Sequence, residues 1–264
     1  MRMFAPCPVT RLLDCVGGVS CLFGLVAMAT TSQELYASLK ALTTAVKTDK
    51  LICKHLISTR SYQILAMLLE GKSELLNSHI LHLILSLVGT LDTSKDTVTI
   101  PNLSVFEDIL CDLDVWKDAS ADLNRLIYEH FYELITDQNC ENLGVIRRSS
   151  LPSRLLIRLY DNPMLIFAVN DIIFNLLAAL LQPPADNLLL LKIGQLIAGT
   201  LPMPGSEQHE ASYAFSIPDL QSALFASKTS SNFDRLLYDI YVRNRILNIL
   251  ANTLAHSSAS NNLQ

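Results

Sequence analysis

With 264 residues, half of them apolar and only 17% charged, against about 25% charged in typical soluble domains, the polypeptide is able to bury a large core. Its 9 glycines leave few glycine-built reversals, which disfavours many short strands and favours helices. The net charge is −5, so no electrostatic attraction to nucleic acid is expected.

The first element in sequence order is the uncharged stretch GGVSCLFGLVAMATT at 17–31, preceded by Arg2 and Arg11. It could be read as a signal peptide, with Ala27-Met28-Ala29 as a cleavage site, or as a membrane anchor over residues 16–33. It can also be a buried helix, apolar on every side. Val16, Val19, Phe23 and Val26 then form one face, and Gly17, Ser20, Cys21, Gly24 and Met28 a second, smaller one. Its three glycines, a serine and two alanines make it weakly apolar for a span, and the buried helix is the favoured reading.

Helical segments follow near 33–47, 50–58, 62–70, 75–89, 104–111, 120–136, 150–160, 164–181, 186–200 and 232–256. In 33–47, Leu35, Leu39, Leu42 and Val46 share a stripe, with Lys40 and Lys47 off it. In 120–136, Leu123, Leu126, Ile127, Phe131, Leu134 and Ile135 face one way and Asp122, Arg125, Glu129 and Glu133 the other. Such one-sided helices have wet backs that a bilayer would not tolerate. Thr31-x-x-Glu34 and Ser104-x-x-Glu107 match capping boxes, and Asn162-Pro163 matches a cap followed by a first-turn proline. Gln182-Pro183-Pro184 and Pro202-Met203-Pro204-Gly205 are stop signals. Residues 202–217 read as a long polar loop, with a short helix expected within IPDLQSALFAS after it.

No run of strands and no fixed-period repeat is present. The pattern predicts an all-α fold, an irregular armadillo- or HEAT-like α-solenoid of about ten helices. Its expected organisation is an N-terminal segment at 1–15, a helical array over 16–200, a loop at 201–231, a final helix at 232–256 and a disordered tail at 257–264.

Candidate chemistry is sparse. His79 and His82 stand three apart and could share a metal, but no third ligand stands at suitable spacing. Asp108, Asp112 and Asp114 surround Cys111 without the glycine and terminal glutamate of a calcium loop. Cys7, Cys15, Cys21, Cys53, Cys111 and Cys140 form no C-x-x-C pair, so reduced, partly buried thiols in a cytosolic protein are expected. Asn102-Leu103-Ser104 is a glycosylation sequon, with Ser104 more simply a helix cap. Arg147-Arg148-Ser149-Ser150 resembles a site for a basophilic kinase. The sequence offers no phosphate loop, no G-x-S-x-G and no nucleophile–base pair. No catalytic, metal or cofactor-binding residue is therefore assigned, no cofactor is expected, and an enzyme with an unseen site is the least supported of three function classes. The other two are an interaction scaffold and a protein anchored in the membrane through 16–33.

LLNSHILHLILSLVGTLD (75–92), IPN (100–102), VFEDILCDLDVW (105–116) and YEHFYELIT (128–136) resemble, in the same order, the very large BEACH proteins that end in WD repeats and a FYVE finger. GGVSCLFGLVAMAT (17–30), YQILAMLL (62–69) and VRNRILNIL (242–250) fit the same family, which includes the autophagy-linked FYVE protein and blue cheese. The likeness covers residues 16–200 and 236–256, and the first 14 residues and 202–231 do not fit it. The resemblance implies a fragment of the long armadillo-like region upstream of the BEACH domain. It implies a non-enzymatic scaffold in selective autophagy or vesicle traffic, cytoplasmic and peripheral to autophagic or endosomal membranes. The expected partners are other proteins and the remainder of the solenoid. Neither nucleic acid nor direct membrane contact by this segment is expected, since lipid binding belongs to a FYVE finger whose motif this sequence lacks.

Overall fold

In the computed structural model, the described residues are 13, 15–90, 100–136, 140–161, 165–201 and 231–261. Twelve α-helical elements and no strand occur among them, in agreement with the all-α expectation. The expected Asn162-Pro163 cap, the stop at 202–205, the loop at 202–217 and the short helix after it lie outside the described residues. The protein divides into two compact units, Met1–Leu126 and Ile127–Gln264.

In the first unit, α1 (Ser20–Met28) leads into α2 (Ser32–Thr48), α3 (Lys50–Ser58), α4 (Ser61–Glu70) and α5 (Ser78–Val88). α1 starts three residues later than the sequence pattern suggests, because Gly17 and Gly18 take φ values of 115° and 70° and make a turn. That left-handed backbone is open to glycine and costly for other residues. α1 is also not buried all round: Leu22 and Val26 are buried, whereas Leu25 and Met28 are exposed, Met28 by 78%. At nine residues it falls far short of the roughly 20 needed to cross a bilayer. No helix among the described residues is long and apolar enough to do so.

α2 is the centre of this unit and packs against α1, α3 and α5. Its stripe Leu35, Leu39, Leu42 and Val46 is buried as the periodicity predicts, each such side group contributing about 1.5–3 kcal/mol. The Thr31 capping box is present: Thr31 Oγ1 accepts from Glu34 N at 3.3 Å and Glu34 Oε2 accepts from Thr31 N at 3.3 Å. Hydrogen bonds from the Thr30 backbone, chiefly, and from the Thr30 hydroxyl hold the Glu34 carboxyl below its ordinary range. The starts of α2 and α5 are joined by polar bonds. Asn77 caps α5 by accepting from Ile80 N at 3.0 Å and donates to Ser32 Oγ at 2.7 Å. Ser32 in turn donates to Leu75 O at 3.0 Å. α5 ends at Gly89, with φ 89°, where an added Cβ would lie 2.8 Å from Pro101 Cγ.

The expected helix at 104–111 is a short turn, α6 (Leu103–Val105), continuing as one π-helical turn, Phe106–Leu110. Its cap is Asn102, which accepts from Val105 N at 3.3 Å, and not Ser104. The wider turn brings Val105, Phe106, Ile109 and Leu110 all into the core, and Trp116 Nε1 donates to Ile109 O at 3.1 Å.

α7 (Ala121–Thr136) contains the boundary between the units. Leu123, Ile127, Phe131, Leu134 and Ile135 are buried, but Leu126 is 44% exposed. At 100° per residue Leu126 lies about 120° from the centre of the buried stripe, so its assignment to the core face is corrected. Asn124, within that stripe, is buried and donates to Ala119 O at 3.2 Å.

The second unit continues with α8 (Cys140–Arg148), α9 (Leu151–Asp161), α10 (Leu165–Leu180), α11 (Asn187–Gly199) and α12 (Ser231–Asn261). α8 has no counterpart in the sequence reading, because Gly144 and few apolar residues weaken its signal. α12 runs past residue 256 into the segment expected to be disordered. It packs on α10 and α11 and is fixed by polar and aromatic contacts. Tyr238 donates to Leu159 O, Arg243 donates to Thr200 O at 3.2 Å, and Phe174 meets Tyr241 edge-on at 6.0 Å. Arg245 pairs with Asp171 at 3.1 Å while lying 4.9 Å from the Phe174 ring centroid.

The revised phase of α7 fixes its mutational response. Phe131→Ala should cost about 3–5 kcal/mol and Leu134→Ala about 2–5 kcal/mol, whereas Leu126→Ala should cost about 0.5 kcal/mol or less. Denaturant titration of the three variants checks this, and a Leu126 loss as large as that of Leu134 would contradict the phase.

Candidate functional site

The structure disperses the candidate chemical residues. His79 and His82 are exposed on α5, and His79 packs edge-on to Tyr36 at 6.4 Å. Among the described residues, no group of three His, Cys, Asp or Glu could hold a metal. Asp108 accepts from Gln63 Nε2 at 3.2 Å, and Cys111 is a buried thiol. Cys15, Cys21, Cys53 and Cys111 form no disulfide, while the thiols of Cys7 and Cys140 lie outside the described side groups.

The sequon asparagine is a structural residue. Asn102 is 9% exposed, and its amide nitrogen lies 4.0 Å from Cys53 Sγ. Tyr62 packs beside the pair, and burial raises its phenol above the ordinary tyrosine range.

The basic stretch at 147–150 is a structural joint. Arg147 donates to Leu180 O at 2.9 Å, to Pro184 O at 2.8 Å and to Gln182 O. One guanidinium thus satisfies carbonyls at the end of α10 and in the Pro-Pro turn beyond it, which a helix C-terminus otherwise leaves unpaired. Ser149 is buried, donating to Ile146 O at 2.7 Å and accepting from Leu151 N at 3.3 Å. A kinase could not reach its hydroxyl in this fold, whereas Ser150 is partly exposed.

The shifted titrating groups of the second unit sit in its packing. Burial raises the Tyr128 phenol to about 12 and pushes the His130 imidazole down to about 4. Burial also raises Asp239, partly offset by Arg235 at 3.1 Å.

Among the described residues several surface clefts occur, of which three bear on function. One of about 610 Å³ in the first unit is bordered by Phe23, Asp49, His55 and Ile64. A second of about 420 Å³ lies between α9 and α11 and is mostly apolar, lined by Leu156, Ile157, Tyr160, Lys192 and Leu196. Beside it the exposed residues Ile157, Tyr160, Leu188 and Leu191 recur at helical spacing. The third, of about 570 Å³, lies between α10 and α12 with the end of α7, and its walls carry amide groups.

Over 259 residues, 97% of its length, the protein is 30% identical to WD repeat- and FYVE domain-containing protein 4 of Homo sapiens. It is 28% identical over 260 residues, again 97% of its length, to the protein of that name from Mus musculus. It is related to a segment of the WD repeat- and FYVE domain-containing proteins. It spans 8% of the length of each of these two relatives. The match is wider than the residue patterns suggest: a span of 97% reaches into both the first 14 residues and 202–231, two stretches expected to fall outside the likeness. No family model matches the protein. No solved structure matches it.

The depressed His130 imidazole predicts an acid-sensitive fold. The folded state holds His130 neutral down to about pH 4, whereas the unfolded state takes up that proton near pH 6.5. This contribution is complete above about 6.5 and is lost as pH falls from there toward 4, amounting to about 2 kcal/mol between pH 7 and 5. Asp239, raised by burial, acts in the opposite sense, so the comparison is between parent and variant. In urea titrations at both pH values, His130→Gln should lose less stability on acidification than the parent. Equal losses would contradict a half-buried imidazole held neutral by the fold.

Proposed function

We propose that this protein is a non-enzymatic, protein-binding scaffold segment of a very large protein of the WD-repeat and FYVE-domain kind, with its helices arranged as an irregular armadillo-like array. The observation that carries this reading is the apolar surface on α9 and α11. Ile157, Tyr160, Leu188 and Leu191 stand in solvent around an apolar cleft. Contiguous exposed apolar surface of this kind marks sites of protein contact. The matched segment is 8% of the long relative. In a protein of that size, neighbouring helices or partner proteins are the fitting occupants, and a second copy is the occupant available to the isolated segment.

The setting in selective autophagy or vesicle traffic, on the cytoplasmic side and peripheral to autophagic or endosomal membranes, follows from the family resemblance. In that setting this segment supplies contacts to proteins, with no role for nucleic acid or direct lipid contact. Lipid reading belongs to the FYVE finger of the long protein.

Light scattering over a concentration series tests the patch. The isolated segment should self-associate, and Leu188→Glu combined with Leu191→Glu should reduce the association while leaving helix content unchanged. Because both residues are exposed, their replacement should move stability by about 0.5 kcal/mol or less. Self-association that is unchanged in the double variant, or a parent that stays monomeric at high concentration, would contradict the role of this surface.

A further inference from the structure

We propose that the cleft between α10 and α12 binds an extended, uncharged peptide segment through its backbone. This deepens the scaffold reading and rests on it, but it concerns a different surface from the α9–α11 patch. The cleft is walled by Asn175 and Gln182 from α10 and the turn beyond it, and by Asn248 and Asn252 on α12, with Tyr132 at its edge. All four residues are exposed, and none of their amide groups is hydrogen-bonded among the described residues. Each offers a carbonyl acceptor beside an NH₂ donor, the complement of one backbone carbonyl and one backbone N–H.

Their spacing suits an extended peptide. Asn248 and Asn252 are one helical turn apart, about 6 Å along the axis at 1.5 Å per residue. An extended peptide repeats its same-edge N–H and carbonyl groups every two residues, about 6.7 Å. Two small residues, Ala178 and Ala179, form part of the lining between the walls, which leaves room for a backbone to approach.

The other occupants fit less well. A helical ligand has its backbone groups already paired, so it could meet the four amides only through polar side chains, and any amide facing its apolar stripe would be buried unbonded at a cost. A phosphate-bearing ligand would need unpaired cations. The cation in the lining, Arg245, has its charge paired with Asp171 at 3.1 Å, with only its buried Nε lacking a hydrogen-bond partner. That pairing also leaves little preference for acidic or basic residues, so the recognised chemistry is the peptide backbone, with an apolar or aromatic group against Tyr132.

The test uses the 264-residue protein and a phage-displayed library of short random peptides, with the tightest selected peptide resynthesised. Its affinity for the parent is compared with its affinity for Asn248→Leu combined with Asn252→Leu. A second comparison uses peptides N-methylated at alternate residues along each edge. Loss of about two hydrogen bonds should weaken binding by about tenfold or more in the double variant. Methylation along one edge should weaken it similarly, and methylation along the other should not. The Leu188→Glu, Leu191→Glu protein should bind the peptide like the parent, so failure of the patch and failure of the groove are told apart. Circular dichroism confirms that the asparagine variant is folded; if it is not, Asn248→Asp with Asn252→Asp replaces it, since a carboxylate cannot donate to a peptide carbonyl. Selection of no peptide, binding indifferent to both the asparagine replacements and N-methylation, or displacement of the peptide by a single-stranded oligonucleotide would overturn the proposal.

Discussion

The helices of this protein have narrow apolar faces, and most of the architecture depends on where each face finds a neighbour. An α-helix satisfies its interior backbone groups within itself, so the remaining demand is to cover one stripe of apolar residues. α2 meets it most fully. Leu35, Leu39, Leu42 and Val46 disappear between α1, α3 and α5, and the Ser32–Asn77 bond pins the start of α2 to that of α5. α1, with α2 as its main neighbour, buries Leu22 and Val26 and leaves Leu25 and Met28 in solvent. The same rule that builds the core also decides which apolar residues are left outside it.

That remainder is where the functional reading comes from. On α9 and α11 the uncovered residues are aliphatic and aromatic, suited to packing against another protein surface. Between α10 and α12 they are amides with unused donors and acceptors, suited to a partner whose own backbone is unpaired. The second unit thus presents two chemically distinct surfaces, one non-directional and one directional. A scaffold segment can use the first for cohesion and the second for selection, because lost directional bonds penalise a wrong partner more sharply than lost apolar area.

Long periodic segments were legible from the amino-acid order because burial follows period. The α2 stripe and the Thr31 capping box were visible in it, as was most of the α7 face. The failures have physical causes. A stripe drawn too wide took in Leu126, although geometry places it about 120° from the stripe's centre. Ser104 reads as the cap at 102–104, but Asn102, which can also bond sideways toward Cys53, takes the role. The uncharged run at 17–31 suggested burial on all sides, but too few neighbours reach α1 to provide it. Arg147 and Ser149 looked like a surface motif; the arginine's partners lie at the end of another helix and in the turn beyond it, and the serine is tied down within its own helix junction. The amide cleft left no local trace, since Asn175 and Asn248 meet only through tertiary packing.

One-sided burial is most directly tested on α1, where the buried, signal-peptide and membrane-anchor readings all compete. With the native cysteines replaced by alanine, single cysteines placed at Leu22, Leu25, Val26 and Met28 can be labelled with a water-soluble maleimide under native conditions. The account predicts fast labelling at 25 and 28 and slow labelling at 22 and 26, with all four equal once the protein is unfolded. Uniform protection of the four positions, or uniform reactivity, would contradict it.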